Sequence, residues 1–184
     1  GRPIVRIEFV RSNIFDPTDP SMDWWPYRAA NAIHVVTRER FLRSMVLFEE
    51  GDAWSRAEAA ESARILRSLG FINPVEISAH AVEGGVEVVV ETHDQWSLQI
   101  GAEAGVTGER TDYGFQIQEE NFLGWGKTLT LEYASDEERD TRIVRYQDPH
   151  ILGSRRTADV IYEDRSDGEF QRLRIERPFF ALST

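Results

Sequence analysis

The chain has 184 residues, a formal charge of −11 and no cysteine. That length holds one or two domains with a real core, the acidic balance argues against nucleic acid, whose phosphates need a basic surface, and the missing thiols remove disulfides, thiolate metal sites and cysteine nucleophiles. No apolar run approaches the ~20 residues of a membrane helix and no basic-then-apolar leader opens the chain, but a membrane β-barrel escapes both tests because its strands are only half hydrophobic.

Residues 3–11 alternate, with Val5, Ile7 and Phe9 as the apolar set, and predict a strand. Asn13 to Trp25 is rich in Pro, Asp and Ser and reads as a loop, its two tryptophans and Tyr27 packing it down. Thr37 is placed to cap a helix over Arg38 to Phe48, with Phe41, Leu42, Met45 and Phe48 at helical spacing and Gly51 as the stop. Ser55-Arg56-Ala57-Glu58 fits a capping box, and the helix it opens carries Ala59, Ala63, Leu66 and Leu69 on one face and ends at Gly70. Strands over 75–81 and 86–92 follow, joined by a tight turn at Glu83-Gly84-Gly85. The order is β-α-α-β-β.

That order, with Leu47-Phe48-Glu49-Glu50-Gly51-Asp52 and the helix Glu61-Ser62-Ala63-Arg64-Ile65-Leu66-Arg67-Ser68-Leu69-Gly70-Phe71, resembles a POTRA (polypeptide-transport-associated) domain over residues 3 to 93. The segment Asn13 to Val36 departs from the minimal pattern and is similar to insertions in single-POTRA members of the BamA/TamA-type outer-membrane proteins. An unrelated α/β domain with a helical hairpin is the other reading of these residues.

After Asp94 the period becomes strictly two. Trp96, Leu98, Ile100, Ala102, Ala104 and Val106 share one side of a strand, and Ser97, Gln99, Gly101, Glu103 and Gly105 share the other. Six such strands are predicted, at 95–107, 112–121, 127–135, 141–148, 156–163 and 169–177. A soluble sandwich fits alternation alone. The polar faces, however, carry more charge than a dry core accepts, which suits a wet barrel lumen, and the apolar faces carry almost none, which suits lipid. The fourth strand breaks the pattern, because Ile143 shares a side with Arg145 and Gln147. The junctions alternate too: charged loops at Thr107 to Thr111, Ser135 to Asp140 and Asp164 to Gly168, apolar glycine-bearing turns at Asn121 to Gly126 and Asp148 to Gly153. With the first module in the periplasm, the apolar turns face the periplasm, and Phe122, Trp125 and Phe179 are expected near a membrane interface.

Glu120-Asn121-Phe122-Leu123-Gly124-Trp125-Gly126-Lys127 resembles the turn after the second barrel strand of BamA/TamA-type proteins, with Asn121, Gly124 and Gly126 as its motif residues. Asp148 to Gly153 and Glu176 to Leu182 resemble their next two periplasmic turns. The resemblance implies an α+β POTRA domain over 1–94 and, over 95–184, the first six or so antiparallel strands of a transmembrane β-barrel. Single-chain barrels need at least about eight strands, so a fragment of a larger barrel is expected.

No residue set points to an enzyme. His34, His80, His93 and His150 have no two-histidine metal spacing, Glu119 and Glu120 point to opposite faces of a strand, Asp136-Glu137-Glu138 reads as a solvated loop, and no nucleophile elbow, phosphate loop or zinc motif occurs. No cofactor is implied. What the family resemblance implies is an outer-membrane protein that inserts or translocates β-rich clients, with outer-membrane lipids, unfolded barrel or secreted clients and periplasmic accessory proteins as partners. Its client-pairing strand is Trp96, Leu98, Ile100, Gly101, Ala102, Ala104 and Gly105, made deformable by Gly101, Gly105 and Gly108. An anchor or export pore for a fused or secreted domain, and a soluble periplasmic β-rich binding module, are the alternatives.

Overall fold

The computed structural model describes residues 1–16, 18–107, 110–154 and 156–177. They form two compact units: Gly1–Trp96 with Leu123–Trp125, and Ser97–Phe122 with the chain from Gly126 onward.

The first unit contains β1 (Ile4–Ser12), α1 (Trp25–Ile33), α2 (Glu39–Met45), α3 (Arg56–Arg67), β2 (Ile72–Val82) and β3 (Gly85–Asp94). Its sheet has the order β1-β3-β2, β1 parallel and β2 antiparallel to β3. Leu42 of α2 and Leu66 of α3 pack with Ile4, Ile72, Val75, Val88 and Val90 of the sheet as a fully buried core. Ser55 Oγ accepts from Glu58 N at 3.3 Å, the predicted helix start, and Gly70 ends the segment at φ +82°. Ser62 sits inside α3 on its buried side, where its hydroxyl donates to Glu58 O (2.7 Å) and accepts from Leu47 N (2.9 Å), tying the chain after α2 to α3.

Four sequence readings need correction. The segment read as loop holds α1 and a single 3-10 turn at Pro20–Met22. Its two tryptophans do not pack it down; both are exposed. Thr37 is not the cap of α2, which has Arg38 at that position with no side-chain bond. The Thr37 hydroxyl and N–H instead donate to Asp94 Oδ2 at 2.9 and 2.7 Å, and α2 ends at Met45. In β1 the apolar set changes phase. Ile4 pairs with Val86 and Arg6 with Glu87, so an extra residue on β1 makes a bulge that puts Ile4 and Ile7 in the core and Val5 outside.

The second unit is a meander of β4 (Leu98–Thr107), β5 (Arg110–Glu119), β6 (Thr128–Ser135), β7 (Asp140–Asp148), β8 (Thr157–Arg165) and β9 (Gly168–Glu176), each antiparallel to the next. Strands of eight to ten residues match the roughly 9–11 needed to cross a bilayer at a tilt. Register assigns the faces, since opposed residues share one. Ile100–Ile117–Leu131–Val144–Tyr162 runs across five strands, and Leu129–Tyr146–Val160–Leu173 runs beside it. This resolves the fourth strand: Val144 and Tyr146 lie on the apolar face, and Ile143 opposes Glu132 and Glu163 on the polar one. Ile100 and Leu173 are 65% and 67% exposed, so the apolar face is bare.

The polar face is knitted by side chains. Asp159 accepts from Arg145 Nε (3.0 Å), Gln147 (3.2 Å) and Arg172 (3.5 Å). Glu120 accepts from Gln99 (2.7 Å) and Gln118 (3.1 Å). Tyr113 and Tyr133, 6.0 Å apart on the apolar face, mark its charged-loop end, and Tyr146 marks the other.

The bulge and the Asp94 site can be tested together by urea unfolding of the full chain. Val5→Ser is expected to cost no more than about 0.5 kcal/mol and Ile4→Ala about 2–4 kcal/mol, the reverse of what unbroken alternation demands. Asp94→Ala, which strips the acceptor from the Thr37 and His34 donors, is expected to cost about 3 kcal/mol.

Candidate functional site: open strand edges and the first turn

Among the described residues β4 pairs only with β5, in an unbroken register from Leu98–Glu119 to Thr107–Arg110. Its other edge is ten residues long, with no proline, no bulge and one charge, Glu103. Proteins blunt exposed edges with just those devices, and β4 carries none of them beyond the one charge. Leu98, Ile100, Ala102 and Ala104 point to the apolar face, and Gly101 and Gly105 to the polar one. Trp96 precedes the strand and is not part of it. Gly108 lies outside the described residues.

The glycines of this hairpin differ in kind. A Cβ on Gly101 would meet Gln116 Cβ at 3.8 Å, and one on Gly105 would meet Asp112 Oδ2 at 3.8 Å, both ordinary contacts. Packing does not demand glycine at either, so what remains is a strand with little side-chain restraint. Gly114 on β5 is different, because its Cβ would fall 2.9 Å from the carboxylate of Glu103 opposite.

The edges of the first unit's sheet are less free. On β1, Ile4 N donates to Asp52 O (2.8 Å), Gly51 N to Ile4 O (2.8 Å), Trp54 N to Arg2 O (2.9 Å) and Ile7 N to Glu50 Oε1 (3.1 Å). The chain after α2 therefore blocks the start of that edge. On β2, the Arg67 guanidinium donates to Val75 O. Beyond it, β2 and α3 bound an open groove of about 490 Å³ whose floor includes Ala59, Ala63, Ile77 and Ala79, flanked by Trp54 and Arg56.

Asn121, Gly124 and Gly126 are brought together in one turn. Gly126 N donates to the buried Asn121 Oδ1 at 2.8 Å, Phe122 N to Lys127 O at 2.8 Å, and Asn121 N to Glu119 Oε1 at 2.9 Å. Leu123, Gly124 and Gly126 all have positive φ (56°, 75° and 60°). Gly124 is required twice over, since a Cβ would lie 2.7 Å from Val36 O. Leu123–Trp125 belongs to the first unit: Arg38 N donates to Gly124 O and Arg38 Nε to Leu123 O, both at 2.9 Å, and the guanidinium lies 5.0 Å from the Trp125 ring centre. Trp125 packs against the first unit's core. Lys127 bonds Asp148 at 3.0 Å, where the next such turn begins. Burial works against the Lys127 charge, but its bonds to Tyr146 and Asp148 outweigh that and raise its pKa. At the turn itself burial pushes the His150 imidazole below its usual value, against the pull of Asp148. From Pro178 on, the third turn and Phe179 lie outside the described residues.

The remaining sequence candidates fall into structural roles. Glu119 and Glu120 are engaged separately, by Asn121 N and by the two glutamines. Asp136 accepts from the N–H groups of Arg139 and Glu138, which hold its carboxyl below the usual range and close a loop turn. No group of three metal-ligating side chains occurs among the described residues. Sequence reading missed the cluster of His34, Thr37 and Asp94, in which His34 Nε2 donates to Asp94 Oδ2 at 2.9 Å in a fully buried setting. Nothing in the local sequence marks it, because Asp94 lies 57 residues beyond Thr37.

No protein-family model matches the chain. Over 140 residues, 71% of its length, it is 25% identical to the outer membrane protein assembly factor BamA of Neorickettsia risticii (strain Illinois), of which it spans 18%. Its fold is similar to the crystal structure of BamA from Haemophilus ducreyi lacking POTRA domains 1–3 (TM-score 0.62, 19% identity, 94% of this chain and 30% of that one). It is also similar to CdiB from Acinetobacter baumannii (TM-score 0.50, 11% identity, 89% and 28%). The chain thus spans under a third of each of these three proteins.

The two kinds of glycine give a test on the full chain. Gly124→Ala, which forces a methyl against Val36 O at positive φ, is expected to lose about 2 kcal/mol or more. Gly101→Ala should leave stability unchanged or raise it by roughly 0.5–1 kcal/mol. Denaturant midpoints followed by tryptophan emission separate the two.

Proposed function

We propose that this chain, which belongs to the BamA/TamA-type outer-membrane proteins, inserts or translocates β-rich clients by offering them strand edges. In this reading residues 1–94 are a POTRA-like module in the periplasm and residues 95–184 are the opening strands of a barrel in the outer membrane. The fold match to the BamA crystal structure, which takes in 94% of this chain and 30% of that one, and the sequence match to a second BamA support it. So does the bare apolar face flanked by tyrosines, opposite a charged and hydrogen-bonded one.

The observation that carries the mechanism is the β4 edge. Alternate residues of an antiparallel strand direct both N–H and C=O to the same side, so ten residues present about five outward residues. Each net hydrogen bond contributes about 1 kcal/mol in water, and an unsatisfied group in hydrocarbon costs several. Inside a bilayer this edge therefore demands a partner. The last strand of a closed barrel meets that demand at rest, and a client strand meets it when the seam parts. Exchange of one strand for another conserves the hydrogen bonds, and for that reason no catalytic side chain is needed. Gly101 and Gly105 lower the cost of bending β4 away from its neighbour. The open part of β2, beside its groove with α3, is a second place where an extended client can add in the periplasm.

Cysteines at Leu98 or Ile100 are expected to crosslink to client barrels in intact outer membranes, and a disulfide locking β4 to the last strand should abolish client insertion. Efficient insertion by the locked protein would sink the mechanism.

A further inference from the structure

The insertion between β1 and α2 carries a surface that neither the core nor the strand edges use. One side of α1 is held down. Asn31 bridges Phe15 with both amide atoms (2.8 and 3.1 Å), Tyr27 packs on Phe15 with ring centres 4.6 Å apart, and His34 at the helix end is bonded to the buried Asp94. The opposite side presents Trp25, Arg28, Ala29, Ala32 and Ile33, with Trp24 at the N-cap. Trp24, Trp25 and Ile33 are 61%, 70% and 67% exposed. At about 100° per residue, Trp25, Ala29, Ala32 and Ile33 fall within an arc of roughly 100°, with Arg28 at its margin. A side of a helix that faces water is normally polar; this one is apolar, with a single cation and no acid.

We infer that this side of α1 lies in the headgroup region of the bilayer and anchors the first unit to the membrane surface. Indole is the side chain suited to that boundary, with an apolar body and one N–H donor, and Arg28 supplies a charge complementary to lipid phosphate. The acids of the insertion stand on the loop before the helix. Asp16 and Asp19 are engaged there by Thr18 and Ser21, and Asp23 ends the loop. Nine residues make a helix of about 14 Å, too short to cross a bilayer and long enough to lie in its surface. The occupant so favoured is lipid, over a client segment or a second copy of this chain.

The inference rests on the barrel reading of the second unit, and the test separates the two. Single cysteines at Ala29, Ile100 or Glu83, placed in the full natural protein freed of any other cysteine, are labelled with a small fluorophore in phosphatidylcholine–phosphatidylglycerol liposomes. Emission from position 29 is expected to fall by roughly half with lipid carrying a nitroxide near the headgroup, as for a face buried about 5–10 Å, and to resist aqueous iodide. Position 83, at an exposed hairpin, should show the opposite. Position 100 should be quenched by a nitroxide deep in the acyl chains, and if it is not, the barrel reading fails. If position 100 is quenched while position 29 behaves like position 83, the membrane anchor alone is overturned. Shielding of position 29 only after addition of an unfolded barrel protein, or only at high protein-to-lipid ratio, overturns it in favour of a client or a second copy. Adding Trp24→Ser with Trp25→Ser should restore iodide access at position 29 without changing position 100, and unchanged access would also overturn it.

Discussion

Everything in the second unit depends on one constraint: its described residues form a single sheet with no second layer. The cluster of buried apolar side chains described for this protein runs from Ile4 to Val90 and takes no residue from β4 to β9. A soluble sheet covers its greasy face with a helix or another sheet. Here Ile100, Phe115, Leu131, Val144, Val160 and Leu173 stay exposed, so what solvates them must come from outside the unit. Hydrocarbon does this without asking for hydrogen bonds, on condition that the backbone satisfies itself. Five ladders do so internally, and the polar side-chain network does the same for the other face. What is left over is strand edges, and the proposed activity consists of making use of that remainder.

The legibility of this architecture in the sequence follows from how locally each feature is encoded. Strand positions and faces in the second unit rest on a period of two, which every residue repeats, so they emerge from the string alone. Even Ile143, which broke the pattern, needed only its partners Glu132 and Glu163 to be placed. The β1 bulge is the opposite case. One extra residue between Ile4 and Arg6 reverses which side chains are buried, and nothing in Ile4-Val5-Arg6-Ile7 marks it, because the cause is the register with β3 more than eighty residues later.

The Asp94 cluster was illegible for the same reason. Thr37 next to an apolar helical pattern is a good cap by local rules, but a buried carboxylate 57 residues away competes for its hydroxyl and wins. An uncompensated buried charge costs more than an uncapped helix end, since a lost cap is worth about 1 kcal/mol and an unpaired buried charge several. Leu123–Trp125 shows a third kind of failure. Its turn chemistry was readable from Asn121, Gly124 and Gly126, whereas its close approach to Val36 and Arg38 was not, because a glycine chosen for positive φ and one chosen for proximity look alike in a sequence. Gly124 is both.

The edges of the two sheets bear on how a protein that works by strand addition, as proposed above, would avoid adding strands indiscriminately. An open edge pairs with any extended chain, including another copy of itself. β1 is protected where its bulge begins, by the backbone of Gly51 to Trp54 and the carboxylate of Glu50. β2 is stoppered at Val75 by Arg67 and open further along, beside a groove that can select side chains. β4 has no such device. Leaving the most reactive edge unblocked is tolerable only where few competitors can reach it, and a membrane excludes nearly every chain that has not already paired its backbone. In the proposed membrane setting, the protection that bulges and charges give to edges in water would be given to β4 by the surrounding lipid.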